Sequence, residues 1–213
     1  MPHKKVWECQ LFSSLRNMQD IDMQFPKNDL ETRVDFQRRY KNGHGSKISM
    51  AEYPDYIFFN LRDLSKKKNS LPDVFRGRGG LAFVSSALND LMQQFNLGDT
   101  RFNEVPLYEY DQETRRPGQW YLLHIREDRR TLVPEESTAL EHTGVAGRWR
   151  PDSSGDHKLA LDPSPVGELD MWRDRSLQDG VFISDRLKTA IKSSELKTRW
   201  LGFRPCKIVE AGL

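Results

Sequence analysis

The side chains best suited to chemistry in this chain are five histidines, two cysteines, two serines at apolar-to-helical junctions, and one arginine-glycine run. A metal site needs several His or Cys ligands at short, regular spacing. His3, His44, His124, His142 and His157 never pair that way with one another or with Cys9 and Cys206, so no dedicated zinc site is expected. A serine nucleophile needs an adjacent base and an oriented third group. Ser85 and Ser184 stand where a nucleophile elbow would, but neither has the flanking glycines, and helix capping already accounts for both. Cys206 follows Pro205 in a strand-like stretch and reads as a small core residue. His124 lies in a predicted strand, Trp120–Ile125, whose alternation groups it with Trp120 and Leu122 as a structural histidine. Arg76-Gly77-Arg78-Gly79-Gly80 has the glycines of a phosphate-cradling loop. However, it precedes a strand instead of opening a helix, and it lacks the lysine and hydroxyl, so a flexible turn is expected. No catalytic residue, metal or cofactor follows from these patterns. The one enzyme alternative is a small hydrolase or transferase using His124 and neighbouring carboxylates.

The acidic residues are unevenly placed. The chain carries a formal net charge of +2, yet residues 81–170 hold sixteen acidic against nine basic side chains. Such a segment is either well-solvated loop or a surface facing a basic partner. Glu109, Asp111, Glu113, Glu127 and Asp128, around the Tyr108–Gln119 loop and the strand after it, are the first candidates for that surface. Arg148-Trp149-Arg150 and Trp172-Arg173 mix cations with aromatics, as single-stranded nucleic-acid binders do. Asp152, Asp170 and Asp174 flank them, and the near-neutral charge argues against direct nucleic-acid binding. Tryptophan and arginine also anchor protein contacts, which makes Trp149, Trp172 and Arg173 candidates for a protein partner.

The elements that must hold these residues suit one α+β unit over residues 1–213, with an irregular part over 1–70 and a core over 71–213. Charged residues make up 30% and mean hydropathy is -0.73, but 37% hydrophobic and 10% aromatic residues can supply a core. Two cysteines exclude a disulfide framework. The start, MPHKKVWECQLFSS, lacks a secretory signal's apolar run. Tyr56–Phe59 and Trp120–Leu123 are too short to span a bilayer, so a cytoplasmic protein without membrane contact is expected. Lys5–Phe12 and Tyr56–Leu61 read as strands, and Asn42–Gly45 as a turn. Lys66–Lys68 and Gly77–Gly80 read as exposed connections, and Thr143–Asp156 as a long mobile loop, a break that Pro163 and Pro165 extend.

One strand-to-helix motif occurs twice. Leu81–Val84 is apolar and extended, Ser85 is a helix N-cap, and Leu88, Leu91, Met92 and Phe95 form a helical stripe. Asn96-Leu97-Gly98 stops the helix and Arg101–Leu107 reads as one strand ending at Pro106. Phe182, Ile183 and Ser184, then Leu187, Ala190, Ile191 and Pro205, align 99 positions later. The fold class expected is therefore α+β, a mixed sheet with packed helices and a strand-helix-strand motif occurring twice. Generic patterning shared by two ordinary β-α-β pieces would look similar.

Leu71-Pro72-Asp73-Val74-Phe75, Leu81–Ser85 with Leu88, Val105-Pro106-Leu107 and Trp120–Leu123 together resemble the immunity proteins of bacterial polymorphic toxin systems, specifically the eleventh immunity family, formerly a domain of unknown function. Asp170–Asp174 and Val181–Leu187 resemble that family's carboxy-terminal signature, and the likeness covers residues 53–208, with the first 50 matching least. The resemblance implies an α+β binding protein, not an enzyme, without catalytic residues to carry over. It also implies a cognate toxin as partner, delivered by type VI or contact-dependent secretion and neutralised in the producing cell by one-to-one binding. A basic nuclease toxin would suit the acidic segment.

Overall fold

A computed structural model describes residues 3–42, 48–60, 71–152 and 154–209. All of the expected Asn42–Gly45 turn but its first residue, Leu61 at the end of the expected Tyr56–Leu61 strand, and the Lys66–Lys68 connection lie outside the described residues. The chain begins with β1 (Val6–Cys9), β2 (Ile21–Gln24), α1 (Leu30–Asn42) and β3 (Tyr56–Phe59). Then come β4 (Val74–Arg76), β5 (Ala82–Ser85), α2 (Ser86–Met92), β6 (Arg101–Glu104), β7 (Leu107–Tyr108) and β8 (Trp120–His124). Shorter strands follow: β9 (Asp128–Arg129), β10 (Leu140–His142), β11 (Trp149–Pro151) and β12 (Ala160–Leu161). β13 (Met171–Asp174), β14 (Val181–Ser184), α3 (Asp185–Ser193), β15 (Phe203–Pro205) and β16 (Lys207–Ile208) complete the described elements.

The architecture is α+β with several mixed sheets. An antiparallel sheet has the order β4-β5-β8-β6, and a larger one the order β15-β1-β14-β13-β9, parallel only at β13-β9. A smaller sheet has the order β2-β3-β7, and β10-β11 and β12-β16 form two-stranded ribbons. No helix among the described residues is long and apolar enough to cross a membrane.

The repeated motif is larger than its sequence signal. β4-β5-α2-β6 and β13-β14-α3-β15 follow the same path: a hairpin, a serine-capped helix, and a return strand. The return strand lies beyond one intervening strand, β8 in the first copy and β1 in the second. The amino-terminal segment is thus a central strand of the second copy's sheet, pairing Val6 with Ser184 and Glu8 with Arg204. Cross-strand partners match as well. Phe75 faces Phe83 with ring centroids 5.4 Å apart, and Trp172 faces Phe182 at 6.0 Å, both stacked. Such aromatic pairs are the unit of sheet stabilisation, on the order of 0.5–1.5 kcal/mol beyond area burial.

Each copy also clasps the other. Ser85 Oγ accepts from Leu88 N–H and donates to Asp73 Oδ1 at 2.5 Å; Ser184 Oγ does the same with Leu187 N–H and Asp170 Oδ1. The second oxygen of each aspartate reaches past the opposite copy's helix. Asp73 Oδ2 accepts from Lys197 N at 2.6 Å, and Asp170 Oδ2 from Asn96 N at 2.9 Å. Backbone bonds return the contact, Asp73 N to Lys197 O and Asp170 N to Asn96 O. Buried backbone polar groups demand partners, and here each copy supplies those of the other.

Two apolar clusters result. The larger joins β2, β3, β4, β5 and β8 with Leu88, Met92, Leu187 and Ile191 of α2 and α3. Phe36 and Tyr40 of α1 enter it one helical turn apart. The smaller surrounds Trp172 and Phe182 with Val6, Leu159, Leu161 and Leu177. Three sequence expectations change. The predicted Arg101–Leu107 strand divides into β6 and β7, which join different sheets across Val105-Pro106. Proline has no N–H for a ladder, while its carbonyl accepts from Ile57 N–H. The expected Thr143–Asp156 loop contains a strand, β11, which pairs with β10, and Trp149 packs on the smaller cluster. α2 ends at Met92, leaving Phe95 beyond the helix.

Candidate partner-binding surface

The most exposed run of candidate residues lies in a hairpin that continues from the edge of the β2-β3-β7 sheet. β7 runs parallel to β3, pairing Leu107 with Ile57 and Tyr108 with Phe58. The chain then reverses: Glu109 N–H donates to Thr114 O at 2.9 Å and Arg116 N–H to Leu107 O at 2.8 Å. Asp111 shapes the tip, its Oδ1 accepting from the N–H groups of Glu113 and Thr114 and its Oδ2 from Thr114 Oγ1 at 2.6 Å. Those bonds, Thr114's hydroxyl first, hold the Asp111 carboxyl below the usual carboxylate range. Gln112 takes the left-handed conformation at φ 60°, costly for a non-glycine residue, and its side chain accepts from Tyr56 Oη at 3.1 Å. Glu109 pairs with Arg116 at 3.1 Å, and that guanidinium lies 4.8 Å over the Phe59 ring. Glu113 makes no ion pair among the described residues, and Tyr110 is 51% exposed. The tip is thus an exposed, internally bonded turn carrying Tyr110, the carboxylates of Asp111 and Glu113, and Arg115.

The remaining candidates do not join it. Glu127 Oε1 accepts from Asp99 N–H at 2.6 Å and Oε2 pairs with Arg129 at 2.8 Å. Gly98, at φ +55°, packs so closely on that carboxylate that a Cβ there would collide with it. Asp128 is nearly buried and meets Arg175 at 3.0 Å, on the edge strand beside β13. Both acids therefore brace a turn and a sheet edge distinct from the hairpin. Trp149 is half-buried, bonded through its backbone to Ser176 and Gln178. Trp172 has no exposed surface, and its Nε1 donates to Thr131 Oγ1 at 3.3 Å; it belongs to the core and not to a contact surface. The pleat explains the correction: Trp172 faces Phe182 inside, whereas Arg173, next in the strand, is half-buried, donates to Tyr40 O at 3.3 Å and lies over Phe12.

His124 and the two cysteines are buried or half-buried. His124 is 2% exposed, with Nδ1 hydrogen-bonded to Tyr53 Oη at 2.8 Å and the Tyr40 ring 4.9 Å away. Burial first, then the Arg126 and Arg173 cations, lower its pKa to about 4, so the ring is neutral near pH 7. Burial likewise pushes the Cys9 and Cys206 thiols up to about 12. Among the described residues no three His, Cys, Asp or Glu side chains form a group that could hold a metal ion. Asp174, read from the sequence only as flanking charge, has a buried carboxylate that accepts from Thr131 N and Oγ1, Leu132 N and Ser176 N. Sequence reasoning passed over Asp73 as a partner of Ser85, although an aspartate before each serine-capped helix was there to find.

The sequence model of a family described as an immunity protein family, Imm11, matches residues 9–207. No curated protein matches the chain.

Proposed function

The chain belongs to the Imm11 immunity protein family, and on that premise we propose that it binds a cognate secreted bacterial toxin in the cytoplasm of the producing cell and neutralises it by one-to-one binding. The toxin is a type VI or contact-dependent effector of a polymorphic toxin system. The observation that carries this reading is the extent of the match, which runs from Cys9 at the end of β1 through β15 and takes in the helix and hairpin of both copies of the repeat. The protein acts by binding and not by turnover. A neutral, buried His124 weighs against the hydrolase alternative, since a general base needs a pKa near the working pH and access to substrate.

The contact surface we favour is the Tyr108–Arg116 hairpin. Its turn is ordered before any partner arrives, which lowers the entropy lost on binding. Tyr110 supplies an anchor of the type found at hot spots, and Glu113 with Asp111 supplies charge for a basic toxin such as a nuclease. Co-expression with the toxin-like product of the adjacent gene tests this. The wild-type chain restores growth, and Tyr110→Ala with Glu113→Lys, which leaves the Asp111 turn intact, weakens protection. Full protection by that variant, with unchanged association at low salt, contradicts the hairpin assignment.

A further inference from the structure

The two copies of the motif treat their aspartates differently. In the second, each carboxylate oxygen of Asp170 accepts two bonds. Oδ1 takes Ser184 Oγ and Arg186 Nε, both at 2.5 Å, and Oδ2 takes Asn96 N at 2.9 Å and Arg186 Nη2 at 2.6 Å. In the first, Asp73 accepts the corresponding bonds from Ser85 Oγ and Lys197 N, and its carboxylate accepts nothing more among the described residues. The two bonds it lacks are those of the arginine fork. Two residues past Ser184 stands Arg186; two past Ser85 stands Ala87, which is exposed. The consequence is visible in burial: Asp170 and Ser184 are 0% and 1% exposed, while Asp73 and Ser85 are only half-buried. A pocket of about 370 Å³ opens over Asp73, walled by Leu71, Glu109, Arg116, Trp120 and Lys197.

We infer that this pocket is a socket for a partner's arginine, whose guanidinium takes the place at Asp73 that Arg186 takes at Asp170. The inference rests on the toxin-binding reading for the source of that arginine. Arg186 demonstrates that an aspartate held by a serine hydroxyl and a backbone N–H presents both oxygens to a fork. A lysine, with a point charge in place of a planar fork, fills the arrangement less well. Trp120 adds an aromatic wall of the kind that guanidinium groups favour. Arg116 neutralises Glu109 at the rim, and Lys197 is a second resident cation on the wall. A guanidinium is therefore selected by the forked acceptor geometry of Asp73, which takes only the Ser85 hydroxyl and the Lys197 backbone N–H among the described residues, and not by net charge. Glu109 and Arg116 belong both to this wall and to the hairpin, so the socket continues the proposed contact surface.

Titrating the 15N-labelled full chain with methylguanidinium, and separately with methylammonium, tests the socket directly. Saturable shifts of the Lys197 and Leu88 amides are expected with methylguanidinium, with binding on the order of tenfold weaker for methylammonium. Ala87→Arg, which rebuilds the second copy's clamp in the first, keeps the fold and abolishes the shifts; Asp73→Asn weakens them. No saturable shift in the wild type, or an undiminished one in Ala87→Arg, overturns the socket. The second arm measures affinity for the toxin domain, where Ala87→Arg is expected to lose on the order of tenfold or more. If the wild type binds the toxin and Ala87→Arg binds equally well, the arginine contact fails while the toxin reading stands. A wild type that binds no toxin overturns the toxin reading and the arginine's source, while methylguanidinium still reports on the socket.

Discussion

His124→Gln separates a structural histidine from a catalytic one. The wild-type ring is buried, with a pKa near 4 against an unfolded value of 6.5. The unfolded chain therefore binds this proton at higher pH than the folded chain does. The stabilising neutral form is fully present above pH 6.5, and its contribution is lost as pH falls through the window down to about 4. Each pH unit in that window costs about 1.4 kcal/mol, giving about 3 kcal/mol in all. Glutamine cannot titrate, yet it keeps a polar group for Tyr53 Oη. At pH 7.5 the variant is expected to be less stable by about 1–2 kcal/mol. Urea denaturation of both proteins from pH 7.5 to 4 should show this deficit shrinking, then reversing, as the wild type loses its histidine contribution. Parallel stability curves would refute the desolvation argument. Growth protection by the folded variant is expected to be retained, and its loss would instead favour the catalytic alternative.

The paired caps give a second expectation. Ser85→Ala should cost about 1 kcal/mol, the ordinary price of a lost N-cap, and Ser184→Ala about 2 kcal/mol, because it also strips a donor from fully buried Asp170. Equal costs by chemical denaturation would contradict that difference in environment. Cys9, buried with its thiol raised to about 12, should alkylate at pH 8 on the order of a hundredfold more slowly in the native chain than in urea. Comparable rates would mean that the β1 region opens readily.

The local half of this fold was legible and the long-range half was not. Ser85 and Ser184 announced their helices because capping is a local bond, made to an N–H three residues on. Phe83 and Phe182 marked buried strands by composition alone. The strand that completes the second copy, however, comes from Val6–Cys9, and pairing across so many residues leaves no periodic trace. α1 was missed because its polar residues dilute a stripe that reduces to Phe36 and Tyr40. In the site, Trp172-Arg173 looked like an exposed anchor, but strand alternation sends the tryptophan inward. Glu127 and Asp128 looked like free charge, yet both are engaged by nearby arginines. The Asp73 pocket has no local signature, since its walls come from Leu71, Glu109, Arg116, Trp120 and Lys197, which are far apart in the chain.

Protection by binding is tested most directly by titration calorimetry of the purified chain against the purified product of the adjacent gene. If that product is the proposed toxin, a one-to-one complex with Kd on the order of nanomolar or tighter is expected, with toxin activity falling in proportion to the complex formed. A folded chain that leaves the toxin unbound and fully active, or that silences it at substoichiometric amounts by turnover, would contradict it.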